Sequence, residues 1–121
     1  MKTRAVRGAI SVDDNTPSAL KEAVKDLVGE ILRANTIETE NISHAIFTLT
    51  KDLNAGFPAK YARELFDWQY VPMMCYNELD VPNSLPKCLR VMIVVNTDKA
   101  QKEIKHIYLK EASSLRQDLV R

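Results

Sequence analysis

The stretch Lys87-Cys88-Leu89-Arg90-Val91-Met92-Ile93-Val94-Val95-Asn96 decides the fold. β-Branched and long apolar residues fill it and neither glycine nor proline interrupts it, which predicts one strand over residues 87–96. In extended chain Cys88, Arg90, Met92 and Val94 share one face, and Leu89, Val91, Ile93 and Val95 share the other. Both sets are mainly apolar, so the strand is expected inside a sheet with both faces covered. Arg90 breaks the pattern. A guanidinium keeps its proton and is costly to bury unpaired, so this position calls for an anion, either Glu78 or Asp80 of the chain itself or a ligand.

Working outward, residues 3–12 alternate weakly and place Arg7 on one face between the small residues Ala5 and Ala9, a second strand with space beside its cation. Thr16-Pro17 then reads as an N-cap followed by a first-turn proline. Leu20, Ala23, Val24, Leu27, Val28, Ile31 and Leu32 follow at helical spacing, which predicts one long amphipathic helix ending near Asn35. Residues 42–50, 70–76 and 104–111 are rich in β-formers and predict further strands. Pro58 and the Ala62/Leu65 spacing predict a short helix over 58–65, Asp98 is a candidate cap for another over 99–103, and residues 81–86 read as a loop. The expected class is α+β: a mixed sheet of about five strands covered by one long helix plus short helices. One sheet face then lacks a cover within the chain, and subunit association is the economical way to bury it.

At 121 residues the chain has the apolar content for one core, so residues 1–121 are expected to form a single domain. Seventeen basic against sixteen acidic side chains leave a net charge of +1, which argues against nucleic-acid binding. Lys2, Arg4 and Arg7 precede no long apolar run, so neither a signal peptide nor a membrane span is expected and the cytoplasm is the default compartment. Cys75 and Cys88 match no zinc or redox spacing. With only Gly8, Gly29 and Gly56 available there is no phosphate-cradling loop, and no metal or cofactor is expected.

Several side chains invite a chemical reading beside a bland one. Lys60 and Arg63 lie three apart near the start of the short helix, where a solvated face competes with a docked anion. Arg7 could be an ordinary strand-edge arginine, and Arg116 could belong to a plain polar tail. Cys75 with His44 or His106 could form a nucleophile and base, but no orienting motif accompanies them and a structural thiol is commoner. Arginines, a lysine, one glutamate, a thiol and a tyrosine, without paired carboxylates or a triad, suit holding and polarising an anion better than covalent chemistry.

The same residues carry a family resemblance. Arg4-Ala5-Val6-Arg7-Gly8-Ala9, Phe57-Pro58-Ala59-Lys60 with Arg63-Glu64-Leu65, and Trp68-Gln69-Tyr70-Val71-Pro72 lead into Cys75, Glu78 and Asp80-Val81. Lys87-Cys88-Leu89-Arg90-Val91-Met92, Asn96-Thr97-Asp98 and Ile104-Lys105-His106-Ile107-Tyr108-Leu109 continue the match to Leu115-Arg116. In this combination, over nearly its whole length, the chain resembles the monofunctional, trimeric, α/β-type chorismate mutases, as distinct from the all-helical class. The resemblance implies conversion of chorismate to prephenate on the shikimate route to phenylalanine and tyrosine. It also implies a homotrimer whose sheets form a pseudo α/β barrel, with sites between subunits and no cofactor.

Carried over, Arg90 would contact the ether oxygen and a carboxylate, and Arg7 would hold a carboxylate. Glu78 and the Cys75 thiol would meet the ring hydroxyl, and Tyr108 would support the enolpyruvyl side. Phe57, Ala59, Lys60 and Arg63 would come from the adjacent subunit, Met73 and Met74 would wall the pocket near Cys75, and Leu115 and Arg116 would order over it. The implied reaction is an intramolecular [3,3] rearrangement needing no nucleophile, metal or redox group, only a fixed conformer and a cation at the ether oxygen. Two other classes compete: a non-catalytic trimeric binding protein for a small carboxylated metabolite, and a Cys75-dependent hydrolase. Glu78 argues against the first, since anion capture needs no carboxylate, and the missing oxyanion-hole motif argues against the second.

Overall fold

The computed structural model describes residues 1–115. Its strands are β1 (Lys2–Ser11), β2 (Ile42–Leu49), β3 (Met73–Asn77), β4 (Cys88–Thr97) and β5 (Ile107–Leu109), and its helices are α1 (Pro17–Asn35) and α2 (Pro58–Phe66). The strands form one sheet in the order β3-β2-β4-β1-β5. β4 runs antiparallel to both its neighbours, while β3 is parallel to β2 and β5 parallel to β1, so the sheet is mixed, as expected. None of the described helices is long and apolar enough to cross a membrane.

α1 starts where the sequence places it. The Thr16 hydroxyl accepts the Ala19 N–H at 3.2 Å and Pro17 occupies the first turn. The helix stops at Thr36, whose φ of 51° is left-handed, and the Ile37 N–H returns to the Leu32 carbonyl at 3.0 Å. Leu20, Ala23, Val24, Leu27, Val28 and Ile31 are buried against the sheet. α1 approaches β1 so closely that a Cβ on Gly8 would lie 2.7 Å from Ile31 Cδ1 and 3.0 Å from the Ile107 carbonyl oxygen. Val6, Ile10, Phe47, Leu89, Val91, Ile93 and Ile107 form the facing layer of the core.

Some boundaries differ from expectation. The last strand is confined to Ile107–Leu109 because Asn35, buried at the end of α1, takes the Lys105 peptide for itself. Asn35 Oδ1 accepts the Lys105 N–H at 2.8 Å and Nδ2 donates to the Lys105 carbonyl at 2.9 Å. At the far end Lys110, with φ 53°, turns the chain into a 3-10 turn over Lys110–Ser114. β3 is displaced towards its C-terminus: Tyr70 lies in an exposed turn, and pairing with β2 begins only where the Pro72 carbonyl accepts the Ala45 N–H. Asp98 caps nothing. The short turn Gln101–Glu103 is closed by Glu103, which reaches back to the Ala100 N–H, while Asp98 faces the N-terminal ammonium at 3.7 Å.

β4 is covered along the whole of one face, and on the other only at its Cys88 end, where Cys88 packs with Ala9, Tyr108 and Ala112. Leu89, Val91, Ile93 and Val95 pack into the core, whereas Met92 is 37% exposed on a face that carries no helix. The expectation of two covered faces therefore fails for the single chain, because Arg90, Met92 and Val94 face outward from the side opposite both helices.

Candidate active site

Register assembles the site. Across the helix-free face, Tyr76 of β3 pairs with Thr48 of β2, Thr48 with Arg90 of β4, Arg90 with Ala9 of β1, and Ala9 with Tyr108 of β5. Five strands thus contribute one row, with the methyl of Ala9 between two long polar side chains. The adjacent row carries Met74, Ile46, Met92 and Arg7. Arg7 sits on an interior strand, not at a sheet edge, and its backbone N–H donates to His106 Nδ1 at 3.0 Å.

Arg90 has its carboxylate partner within the chain: Nε lies 2.9 Å from Glu78 Oε2, and both side chains are about one-quarter exposed (30% and 23%). The Nε–H does not point at that oxygen. The contact is one of charge, and Nε has no hydrogen-bond acceptor among the described residues. The Tyr108 hydroxyl is likewise buried without a partner among the described residues. Buried donors left open beside an ion pair are costly unless something else occupies them. Asp80, the other carboxylate considered for Arg90, instead holds Lys51 at 2.8 Å.

Glu78 is fixed from two directions. Its backbone N–H extends the β2–β3 ladder to the Leu49 carbonyl at 2.8 Å, and its Oε2 accepts the Thr48 hydroxyl at 2.8 Å. Because the ladder continues that far, Glu78 keeps the outward direction of Met74 and Tyr76. Cys75, three residues earlier, takes the opposite direction. Its neighbour Met73 pairs with Ala45 and Cys75 with Phe47, and both pack against the helix-side core.

The remaining expected residues lie on that second side. Phe57 precedes α2 and is 72% exposed; Lys60 and Arg63 are exposed on α2, and Ala59 packs against the core. The Cys75 thiol lies against the Ala59 backbone; burial pushes its pKa up and that contact pulls it partly back. A protonated thiol is a donor and a poor nucleophile. Neither histidine suits it as a base, since His44 points to the helix-free face and His106 Nδ1 is committed to Arg7.

The expected site residues thus fall into two groups on opposite faces of the sheet. Arg7, Glu78, Arg90 and Tyr108 occupy one, with Leu115 packed against the cluster of Ala9, Cys88, Tyr108 and Ala112. Phe57, Ala59, Lys60, Arg63, Met73 and Cys75 occupy the other, and Met74 lies on the first face. Arg116 lies outside the described residues. The hollow lined by Arg7, Ile46, Thr48, Glu78, Arg90, Val91 and Met92 holds only about 180 Å³. Hollows of about 420 and 460 Å³ lie elsewhere, at the C-terminal end of α1 and between α1 and β5, away from Arg90 and Glu78. A small-molecule site needs at least about 300 Å³, so the arginine hollow is too small to be one by itself.

One residue at the site went unremarked in the sequence. Thr48 is visible only through its pairing with Arg90. Cys88, two before Arg90 on the same face, was legible by strand parity; burial pushes its thiol up, with the Arg90 guanidinium pulling the other way. No group of three or more potential metal ligands occurs among the described residues.

Comparison with known proteins agrees over nearly the full chain. The family described as chorismate mutase type I matches residues 3–119. Chorismate mutase AroH of Bacillus subtilis (strain 168) is 42% identical over 119 residues, 98% of this chain and 94% of that protein. Chorismate mutase AroH of Thermus thermophilus is 43% identical over 117 residues, 96% of this chain and 95% of that one. The solved structure of a chorismate mutase from Clostridium thermocellum superposes with a TM-score of 0.88 at 48% identity, covering 91% of this chain and 97% of that one.

Proposed function

This chain belongs to the chorismate mutase type I family, and from that premise we propose how its residues carry out the rearrangement of chorismate to prephenate, the isomerisation that feeds phenylalanine and tyrosine synthesis. The reaction breaks one C–O bond as one C–C bond forms within a single molecule. The protein must hold a flexible dianion in its folded conformer and stabilise negative charge developing on the ether oxygen. Arg90 is assigned to that oxygen and a carboxylate, Arg7 to a carboxylate, and Tyr108 to the enolpyruvyl side. Glu78 accepts from the ring hydroxyl and the Cys75 thiol donates to it.

The observation that carries this assignment is the pair of open donors, Arg90 Nε and the Tyr108 hydroxyl, flanking Ala9 on one face. Arg90 lines the same hollow as Arg7, Thr48 and Glu78, and Glu78 is its neighbouring anion. Preorganised donors of this kind act where charge develops, each worth about 3–4 kcal/mol of barrier when neutral and at least that when charged.

Opposite faces of one sheet cannot touch the same substrate, so the complete site is assigned to the junction of two copies. A closed homotrimer supplies three such junctions and buries the helix-free face. The cytoplasm, where a soluble biosynthetic enzyme meets its metabolite, is the proposed location.

The direct test is loss of chorismate absorbance with purified protein, with prephenate identified as the sole product. Prephenate formed stoichiometrically supports the reading. Binding without conversion would favour a carboxylate sensor, and release of pyruvate would favour a hydrolase.

A further inference from the structure

Resting on the functional reading above, we infer that Thr48 is a positioning residue for this reaction, acting through Glu78. Its hydroxyl donates to Glu78 Oε2 at 2.8 Å, the same oxygen that lies 2.9 Å from Arg90 Nε. Neither contact uses Oε1. One carboxylate oxygen is thus occupied by a hydroxyl and a cation, and the other is turned to meet the substrate's ring hydroxyl. Arg90 Nε faces that oxygen by charge alone, so the carboxylate takes no directed bond from Nε.

Thr48 suits this role for reasons of geometry. It stands directly across from Arg90 in the β2–β4 register and lines the same hollow as Arg7, Glu78 and Arg90. Threonine is stiff at χ1 in a strand, so its hydroxyl direction is set by the sheet. Glu78 lies just beyond the last residue of β3, at the start of the segment leading to β4, and beyond its own ladder bond it has no strand to hold its side chain. Without the hydroxyl, the carboxylate is free to swing onto Arg90 in a bidentate pair and withdraw the guanidinium from the substrate.

The test is a double-mutant cycle on chorismate turnover with T48V, T48S and E78A. Valine keeps the shape and removes the donor. T48V should lower kcat/KM by about ten- to hundredfold, mostly in kcat, the range expected for a hydrogen bond to a charged group that matters in the transition state. T48S should recover most of that loss. In the E78A background the same T48V change should cost less than about twofold, since its route of action is gone. A purely structural threonine would instead show an equal loss in both backgrounds with a lowered melting temperature, and that result overturns the inference. So does a T48V enzyme as active as its parent, or a T48S enzyme as impaired as T48V. A parent protein that does not convert chorismate would defeat the functional reading and the Thr48 inference with it. An active parent with full T48V activity would defeat only the latter.

Discussion

Strand parity makes a prediction that sequence proximity would not: Cys75 and Glu78, three residues apart, serve different active sites. Take Cys75→Asp, which sets a carboxylate against the dianion on the helix-side half, and Glu78→Ala, which disables the other half. Each variant refolded alone should be nearly inactive, because every junction contains one damaged half. Unfold them together in equal amounts and refold so that trimers form at random. A junction takes its helix-side half from one subunit and its arginine half from the next, so roughly half times half, or one in four, of the junctions is intact. The chorismate absorbance assay should therefore recover about a quarter of parental activity per subunit. Phe57→Asp mixed with Arg90→Ala should do the same, since Phe57 lies on the Cys75 side. Glu78→Ala mixed with Arg90→Ala should stay dead, because both occupy the same half. Recovery in that last mixture, or none in the first two despite subunit exchange demonstrated by mass-tagged chains, would refute the two-faced site.

Arg90→Lys should reduce kcat by several orders of magnitude with folding intact, because one flexible ammonium cannot keep the Glu78 contact and also direct bonds to the ether oxygen and a carboxylate; kcat within a few-fold of the parent would remove Arg90 from its role. Cys75→Ser should keep substantial activity, as a hydroxyl donates to the ring oxygen as a protonated thiol does, and steady-state kinetics with a search for covalent adducts checks this. A dead Cys75→Ser enzyme would point to thiolate chemistry. Gly8→Ala should destabilise the fold by about 1–3 kcal/mol, since the added methyl meets the Ile107 carbonyl at 3.0 Å as well as the tips of Ile31 and Leu27, and backbone does not yield as a side chain does. Denaturant midpoints at one fixed protein concentration measure it, and an unchanged midpoint would show that α1 can lift from β1 at no cost.

The sequence made α1 legible because a helix writes its buried stripe at a fixed period, and Thr16, Pro17 and the six buried apolar positions are local signals. The alternation along β1 and β4 was legible for the same reason, but only the family resemblance brought Arg7 and Arg90 together. What local pattern could not reveal is competition between distant groups. β5 is short because Asn35, some seventy residues earlier, captures the Lys105 peptide. Thr48 acquires its place only when β2 and β4 come into register. The separation of Cys75 from Glu78 was hidden for a narrower reason: a strand expected over 70–76 stops before Glu78 and leaves its direction open. The Leu49 carbonyl extends the ladder to the Glu78 N–H, and that single bond makes the two residues point to opposite faces. A substrate that needs both must then sit between two copies of the chain, so the case for association follows from one hydrogen bond at the end of β3 as much as from the open apolar face.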